Sequence, residues 1–148
     1  MFFSVDRFAS FRTEWREDYL SGVTILSDRY TTANAVHQGS KLPEGELDGF
    51  LDWLFDFEYN KLELPAPDLV VYMDIDVETA TARLSERQRQ MGESGDIHET
   101  DTDYLRRCTV AGRRAAERFG WLIIDSLAEG VPRSVEDIHE EIYRNISL

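Results

Sequence analysis

Apolar residues along this chain follow two spacings, one typical of helices and one typical of buried strands. Apolar side chains that recur every three or four positions indicate the buried face of a helix, whereas a short unbroken apolar run indicates a strand covered on both faces. The helical spacing predicts helices over residues 4–20, 47–54, 76–84, 104–119 and 134–146. The unbroken runs predict strands over residues 23–26, 69–73 and 121–124.

These helices and strands alternate along the chain, which is typical of an α/β fold with a mostly parallel sheet. Both faces of each predicted strand are apolar, so each strand needs a layer of helices on either side. A sheet of this kind usually has about five or six strands, whereas the pattern supplies three. It therefore predicts a three-layer α/β domain from which part of the sheet is missing.

Several predicted helix ends carry residues that start or stop a helix. Gly22 and Gly120 follow the last apolar positions of two helices, where glycine tolerates the left-handed conformation that ends a helix. Asp76 precedes the third helix and can cap it. Ser134 begins the string Ser-Val-Glu-Asp, which fits a capping box at the start of the last helix.

Composition favours a single acidic domain. The 148 residues are 42% apolar and carry a formal net charge of −13. Negative charge over most of the surface repels a phosphate backbone, so no binding to nucleic acid is expected, and a nucleotide would need a local basic pocket. The single cysteine, Cys108, shares the apolar face of its predicted helix, which favours a packing role.

No apolar run reaches the ~18 residues that a membrane-spanning helix needs. The opening segment, Met1 to Arg7, also lacks the charged-then-apolar order of a secretory signal. Neither membrane insertion nor export is expected, and a chain with one cysteine suits a reducing compartment. The cytoplasm is the predicted location.

Asp28, Arg29 and Tyr30 directly follow the first predicted strand. Ligands of open parallel sheets bind beyond the carboxyl ends of the strands, where loops and helix N-termini converge. There, Arg29 can bind a phosphate through two charge-assisted hydrogen bonds, and Asp28 can orient it or hold a water on a magnesium ion. An ion pair that only ends the strand is an equally good interpretation of these three residues.

Longer segments of the chain resemble the thymidylate kinase family. The string DRYTTANAVHQ, from Asp28 to Gln38, looks like the family's Asp-Arg-Tyr signature. Phe3 and Arg7 stand where the family has a Phe four residues ahead of an Arg. Residues 67–76 resemble the family's fourth strand with its Pro-Asp lead-in, and the Arg-rich residues 83–95 lie where the family carries its lid.

The resemblance implies roles for these residues in binding thymidylate. Phe3 would stack on the thymine ring. The alternative is that Phe3 is a core residue of the first helix, packed inside the protein. Arg7 would meet a base carbonyl or the phosphate, and Arg29 would bind the monophosphate. Asn34 would bond the thymine edge, since a ring on an aromatic face with one amide partner is a common mode of base recognition. The implied substrate-binding residues are Phe3, Arg7, Arg29, Asn34, His37 and Gln38.

Lid arginines of nucleotide kinases close over the phosphates and neutralise charge on the transferring group. Arg87 and Arg89 are implied in this role ahead of Arg83, with a solvated helix face as the alternative. The implied catalytic residues are therefore Asp28, Arg29, Arg87 and Arg89.

ATP and magnesium are the cofactors that the resemblance implies. Asp28 is one implied metal ligand, and Glu99, in the acidic stretch after the lid, is the other. Asp101 aligns with that stretch with similar ease. His37 stands where many family members have a Tyr near the sugar, which leaves the choice between deoxyribose and ribose open.

The family's phosphate-binding loop, Gly-x-x-x-x-Gly-Lys followed by Ser or Thr, does not occur in the sequence. By resemblance, the three predicted strands would be the third, fourth and fifth of a P-loop-kinase-like sheet, so its first strands are missing. The chain is thus predicted to be the C-terminal two-thirds of a thymidylate kinase-like domain, residues 1–148, with a lid at about residues 83–98.

The implied reaction is phosphoryl transfer from ATP to dTMP, giving dTDP for nucleotide biosynthesis. A non-catalytic nucleotide-binding remnant and an inert fragment are the alternatives to an active kinase. The implied partners are small-molecule substrates, with neither nucleic acid nor membrane. Family kinases are commonly dimers, so a homodimer is implied as well.

Overall fold

A computed structural model describes residues 2–91 and 102–146. Contacts divide the protein into two compact units, Met1–Pro67 and Asp68–Leu148. The first unit is helical, and the second combines helices with short strands. This mixture of helices and strands is consistent with the predicted α/β fold. None of the described helices is both long and apolar enough to cross a membrane.

The first unit begins with a long, nearly continuous helical region. Its parts are α1 (Phe2–Ser10), a π-helical turn (Phe11–Trp15) and α2 (Arg16–Leu20). This region confirms the first predicted helix, and Gly22 ends it with a φ of 86°. The backbone N–H groups of Gly22 and Val23 donate to the carbonyls of Tyr19 and Asp18. That pair of bonds satisfies carbonyls that a helix end would otherwise leave unpaired.

The rest of the first unit packs around the predicted second helix. Its elements are α3 (Thr31–Gly39), a 3-10 turn (Glu44–Glu46), α4 (Leu47–Phe55) and a π-helical segment (Asp56–Lys61). Leu47, Leu51 and Leu54 are buried along one face of α4, which confirms the face that their spacing predicted. Other buried apolar residues of this unit are Phe11, Ala35 and Leu64.

The predicted strand over residues 23–26 is not formed. These residues adopt no regular secondary structure, and Val23, Ile25 and Leu26 are 51%, 38% and 94% exposed. A strand is stabilised by backbone hydrogen bonds to a neighbouring strand, and residues 2–67 contain none. The prediction of a buried strand is therefore wrong here, because the first unit offers it no partner.

A pair of parallel strands lies at the centre of the second unit. β1 (Val71–Asp74) and β2 (Leu122–Asp125) pair in parallel with Met73 beside Ile124. These strands confirm the second and third predicted strands and their parallel direction. They do not have both faces buried as predicted, because Met73 and Ile123 are 44% and 40% exposed. Within the described residues the parallel sheet consists of these two strands, so the predicted three-stranded sheet is not seen.

Three helices accompany the parallel strands in the second unit. They are α5 (Val77–Met91), α6 (Thr102–Phe119) and α7 (Val135–Asn145). Cys108 is buried on α6, as its predicted packing role requires. The other buried apolar residues of the unit are Val77, Ala111, Ala115, Ala116, Ile124 and Ile138.

The starts of α5 and α7 are capped at the predicted residues. The backbone N–H of Thr79 donates to the Asp76 carboxylate at 2.7 Å, and this bond is the main reason that the pKa of Asp76 is lowered. The backbone N–H of Asp137 donates to the Ser134 hydroxyl at 3.1 Å. Each cap satisfies a donor that the first turn of a helix leaves unpaired, which stabilises the start of the helix.

A short antiparallel hairpin follows β2 and has no counterpart among the predicted elements. β3 (Leu127–Ala128) pairs with β4 (Val131–Pro132). Glu129 and Gly130 connect them with φ angles of 51° and 79°, the positive values that a two-residue type I′ turn needs. Glutamate is an uncommon residue in the first of these positions, so the sequence carries only a weak hairpin signal.

Gly112 of α6 lies directly against the ring of Tyr72 on β1. A Cβ atom added at Gly112 would lie 2.7 Å from Cζ of Tyr72, which is closer than van der Waals contact allows. Gly112→Ala is therefore expected to lower the free energy of unfolding by about 1–3 kcal/mol, because the ring must move out of its packed position. Urea denaturation of the purified chain measures this change.

Gly49→Ala is the matched control for that substitution. Gly49 also lies inside a helix, but nothing lies within 4 Å of the position that its Cβ would take. Since alanine is the better helix former, this variant is expected to raise the free energy of unfolding by about 0.5–1 kcal/mol. Equal changes in both variants would contradict the close approach of Gly112 to Tyr72.

Candidate functional site

The loop before α3 presents Arg29 at the surface in a strained backbone conformation. Arg29 is exposed and has a φ of 64°. Residues with a side chain avoid this left-handed region at a cost of about 1–2 kcal/mol. The Ser27 hydroxyl donates to the Arg29 carbonyl at 3.4 Å. Strain of this kind persists only where the surrounding structure imposes it, and it clusters at functional sites.

Tyr30 anchors this loop because its ring is packed on several sides. It stacks on Tyr59 with centroids 6.4 Å apart, meets Trp15 edge-on at 6.3 Å, and lies 5.4 Å from the Arg7 guanidinium. Its hydroxyl donates to the carbonyl of Pro65 at 3.0 Å. Burial raises the pKa of Tyr30, so the hydroxyl stays protonated and keeps this hydrogen bond.

The implied substrate residues of α3, Asn34, His37 and Gln38, are half-buried. Burial lowers the pKa of His37, and the positive charges of Arg29 and Lys41 lower it further. The imidazole is therefore mainly neutral at pH 7. The charges that act on His37 are those of Arg29, before the start of α3, and Lys41, after its end.

Glu58 of the π-helical segment is fully buried and accepts hydrogen bonds from three residues. Its Oε1 accepts from the Ser4 hydroxyl at 2.8 Å and from Nη2 of Arg7 at 2.9 Å. Its Oε2 accepts from Nε of Arg7 at 2.7 Å and from the Thr31 hydroxyl at 2.9 Å. One carboxylate therefore joins α1 to the first residue of α3.

Glu58 is not among the residues predicted for the site, although the sequence carries a signal for it. Glu58 continues the spacing of Leu47, Leu51 and Leu54, so it occupies the core-facing side of the same helical region. A carboxylate in such a position is rarely buried unless it is paired. The spacing therefore calls for a buried partner, but it does not identify Arg7, which is 51 positions away.

The partners of Glu58 determine its charge state. Burial alone would raise its pKa, but the hydrogen bonds from Arg7, Ser4 and Thr31 and the charge of Arg7 outweigh burial. The pKa of Glu58 therefore lies below its usual value of 4.5. A carboxylate with a lowered pKa stabilises the folded chain above that usual value, and this stabilisation is lost as the pH falls through the folded-state pKa.

The stability advantage of the wild-type chain over Glu58→Gln is expected to shrink as the pH falls below 4.5. Glutamine keeps the shape of the side chain but has no charge to lose, so the titration of all other acids cancels in the comparison. Urea denaturation of both chains at a series of pH values measures the difference in unfolding free energy. A difference that stays constant down to about pH 3 would contradict the assigned charge state.

Phe3 and Arg7 lie one turn apart on α1. Phe3 is 63% exposed. The alternative that Phe3 is a core residue is therefore wrong. The Arg7 side chain is 13% exposed, and its Nε and Nη2 atoms bond Glu58. Nη1 of Arg7 would remain to make the implied contact with the base or the phosphate. That contact stays a prediction.

The implied lid arginines lie on α5 in the second unit. Arg89 pairs with Glu86 at 3.1 Å with both side chains more than half exposed. Nη2 of Arg83 lies 3.5 Å from the carbonyl of Arg133. Arg87 belongs to the same helix, and residues 92–98 of the predicted lid lie outside the described residues. Ion pairs between exposed side chains contribute about 0–1 kcal/mol to stability. A weak pair of this kind is what the alternative interpretation, a solvated helix face, predicts.

Of the two implied metal ligands, Asp28 belongs to the part of the chain that the structure describes. Asp28 is exposed in the loop before α3, and Glu99 lies outside the described residues. Asp74, at the end of β1, accepts two hydrogen bonds from Nε of Arg113 at 3.0 and 2.8 Å. Residues 2–91 and 102–146 contain no group of three or more His, Cys, Asp or Glu that could hold a metal ion.

Comparison with known proteins confirms the family resemblance. A family model described as thymidylate kinase matches residues 1–142. A thymidylate kinase from Mycobacterium tuberculosis is 31% identical over 104 residues, which are 68% of this chain and 49% of that protein.

Two further relatives carry the same description or a qualified form of it. A thymidylate kinase from Limosilactobacillus fermentum is 28% identical over 124 residues, which are 83% of this chain and 55% of that protein. A probable thymidylate kinase from Methanosarcina acetivorans is 32% identical over 117 residues, which are 78% of this chain and 52% of that protein. The chain thus spans about half the length of the curated relatives it matches.

Proposed function

Because this chain belongs to the thymidylate kinase family, we propose that it carries the acceptor-nucleotide side of an enzyme that transfers the γ-phosphoryl group of ATP to thymidylate, giving dTDP. The observation that carries this proposal is the exposed guanidinium of Arg29, held in a left-handed backbone conformation just before α3. A strained, exposed arginine costs stability, and its position beside a helix N-terminus suits the binding of a phosphate.

The monophosphate would bind where Arg29 meets the N-terminus of α3. A helix N-terminus offers unpaired backbone N–H groups and a partial positive charge to an anion. Tyr30, which precedes the first residue of α3, makes no side-chain hydrogen bond to those groups. The guanidinium of Arg29 would add two parallel charge-assisted hydrogen bonds.

The thymine ring would stack on the exposed ring of Phe3, with its edge bonded by Asn34. Stacking on an aromatic side chain contributes about 1–3 kcal/mol per base. The Asn34 amide offers both a donor and an acceptor, which match the carbonyl and the N–H group of the thymine edge. His37, neutral at pH 7, and Gln38 would then meet the sugar as hydrogen-bonding groups.

ATP and magnesium supply the transferred group and charge neutralisation in this family's reaction. Of the implied magnesium ligands, Asp28 is an exposed carboxylate in the loop before α3, and Glu99 lies outside the described residues. No step is therefore assigned to the metal. Arg29, Phe3 and Asn34 would act by holding the acceptor phosphate at a defined position, which lowers the entropic part of the barrier. Arg87 and Arg89 would neutralise charge on the transferring group.

The proposed function includes a cellular location and a homodimer. An enzyme of nucleotide biosynthesis would act in the cytoplasm, where its small-molecule substrates are made. Two copies of the chain would associate, as family kinases commonly do. Analytical ultracentrifugation of the purified chain tests the assembly, and a sedimenting species of 17.1 kDa at all concentrations would contradict it.

Asn34→Ala is expected to weaken the binding of thymidylate by about tenfold, since one to two hydrogen bonds to the base are lost. Isothermal titration calorimetry on the 148-residue chain measures the affinity. Asn60→Ala is the matched control, because Asn60 is exposed and its amide bonds Asp56 at 2.9 Å. No binding of thymidylate to the wild-type chain, or equal losses in both variants, would refute the proposed site.

A coupled assay with ATP separates the enzyme from a binding remnant. Formation of ADP that requires thymidylate would establish kinase activity of this chain. Binding of thymidylate without turnover would limit its role to nucleotide binding. Neither binding nor turnover would leave only the inert-fragment alternative.

A further inference from the structure

We propose that Glu58 is a positioning residue for nucleotide recognition, which fixes α1 and the start of α3 relative to each other so that their side chains meet one ligand. The proposal rests on the proposed function, because it concerns the site formed by Phe3, Arg7, Arg29 and Asn34. It goes beyond that function because the fully buried Glu58 carboxylate acts through other residues rather than on the ligand.

The Glu58 carboxylate is saturated by its protein partners. One oxygen accepts hydrogen bonds from Ser4 and Arg7, and the other accepts them from Arg7 and Thr31. All four donor–acceptor distances lie between 2.7 and 2.9 Å. Charge-assisted hydrogen bonds of this length are strong and directional, so the carboxylate holds its three partners in one arrangement.

Each partner lies beside, or belongs to, the proposed nucleotide site. Ser4 directly follows Phe3, and Arg7 is itself a site residue. Thr31 lies one turn before Asn34 on α3, so the two share a side of the helix. Movement of the carboxylate would therefore displace the stacking ring and the base-bonding amide relative to each other.

Stability alone does not account for a charged residue at this position. Replacement of both members of a buried ion pair by apolar residues of similar size is often neutral or stabilising, so stability does not by itself require a Glu58–Arg7 pair. An apolar side chain could not hold the Arg7 guanidinium 5.4 Å from the centre of the Tyr30 ring. Because Tyr30 anchors the loop of Arg29, the Glu58–Arg7 pair supports both the base side and the phosphate side of the site.

A double-mutant cycle with the nucleoside thymidine tests the proposal on the whole chain. Thymidine lacks the phosphate that Arg29 would bind, so its affinity reports on the base side alone. Glu58→Gln is expected to weaken the binding of thymidine by about tenfold and that of thymidylate by at least as much, because the pair also supports the loop of Arg29. In an Arg7→Ala background the same substitution is expected to weaken binding by only about threefold, because the hydrogen bonds of Ser4 and Thr31 are then all that is lost.

Calorimetry measures these affinities, and circular dichroism establishes that each variant is folded. Equal losses in both backgrounds would limit Glu58 to a structural role and overturn the proposal. An unchanged affinity in a folded Glu58→Gln chain would also overturn it, while leaving the proposed function intact. A wild-type chain that binds neither thymidine nor thymidylate would overturn the proposed function and this inference together.

If the Glu58→Gln chain does not fold, the Thr31→Val variant tests the proposal instead. Valine has nearly the shape of threonine and removes one hydrogen bond to the carboxylate without removing the charge pair. Thymidine affinity is expected to fall about threefold in Thr31→Val and to stay unchanged in the neighbouring control Thr32→Val. Unchanged thymidine affinity in Thr31→Val would overturn the proposal.

Discussion

Replacement of Arg29 by glycine is expected to weaken thymidylate binding by about a hundredfold and to stabilise the chain by about 0.5–1 kcal/mol. The affinity falls because hydrogen bonds to a charged phosphate contribute about 1.5–3 kcal/mol each. Stability rises because a φ of 64° strains any residue with a side chain. Relief of about 1–2 kcal/mol of strain is offset in part by the greater freedom of glycine in the unfolded chain.

Calorimetry with thymidylate and thymidine, together with urea denaturation, measures both effects. Thymidine affinity is expected to stay unchanged in Arg29→Gly, since the nucleoside has no phosphate. Glu63→Gly is the matched control, because Glu63 is exposed in the same unit and has a φ of 54°. It is expected to gain similar stability without loss of thymidylate affinity. Retained thymidylate affinity in Arg29→Gly would remove Arg29 from the phosphate site.

Truncation of Glu58 to alanine is expected to lower the free energy of unfolding by about 3–5 kcal/mol. The substitution leaves the Arg7 guanidinium, which is 13% exposed, without its counter-charge. It also leaves the hydroxyls of Ser4 and Thr31 without the acceptor that they share. An uncompensated charge in a buried position costs more than the pair contributes when both partners are present.

Urea denaturation at pH 7 measures this loss, and Asp56→Ala provides the control. Asp56 lies in the same π-helical segment and pairs with Lys61 at 3.8 Å, with both side chains more than half exposed. Its removal is expected to cost less than about 1 kcal/mol. A similar, small loss in both variants would contradict the assignment of Glu58 and Arg7 as a buried pair.

Most of the helices were predictable because their signals are local, whereas α3, which lies in a largely polar stretch, was not predicted. The spacing of Leu47, Leu51 and Leu54 identified the buried face of α4, and Cys108 lies on the buried face predicted for α6. The caps at Asp76 and Ser134 were also predictable, because the donor and acceptor of each cap lie three residues apart. A pattern within a few residues is enough for such assignments.

Strands were predictable only where a partner strand exists. The apolar runs at β1 and β2 form the expected parallel pair, whereas the run over residues 23–26 has no strand in the first unit to pair with. The three runs look alike in sequence, because an apolar run indicates that its side chains favour burial. It does not indicate whether a neighbouring strand is present to pair with it.

Some features of the candidate site were predictable from the sequence, and others were not. Resemblance to a family picked out Phe3, Arg29 and Asn34 from short strings of residues, and their binding roles stay predictions. It did not reveal Glu58, whose nearest bonded partner in sequence, Thr31, is 27 positions away. It did not reveal the positive φ of Arg29 either, because packing of the adjacent Tyr30 holds that loop in place.

By itself, the sequence determined the helices other than α3, the caps at Asp76 and Ser134, the parallel direction of the two formed strands and the family. Only the tertiary structure decided that an exposed arginine is strained, that one apolar run stays unpaired, and that a buried carboxylate joins two helices. Periodicity and capping depend on residues a few positions apart, whereas backbone strain and buried ion pairs depend on which distant residues meet. The free energy of those long-range contacts, rather than local preference, therefore sets the geometry of the site.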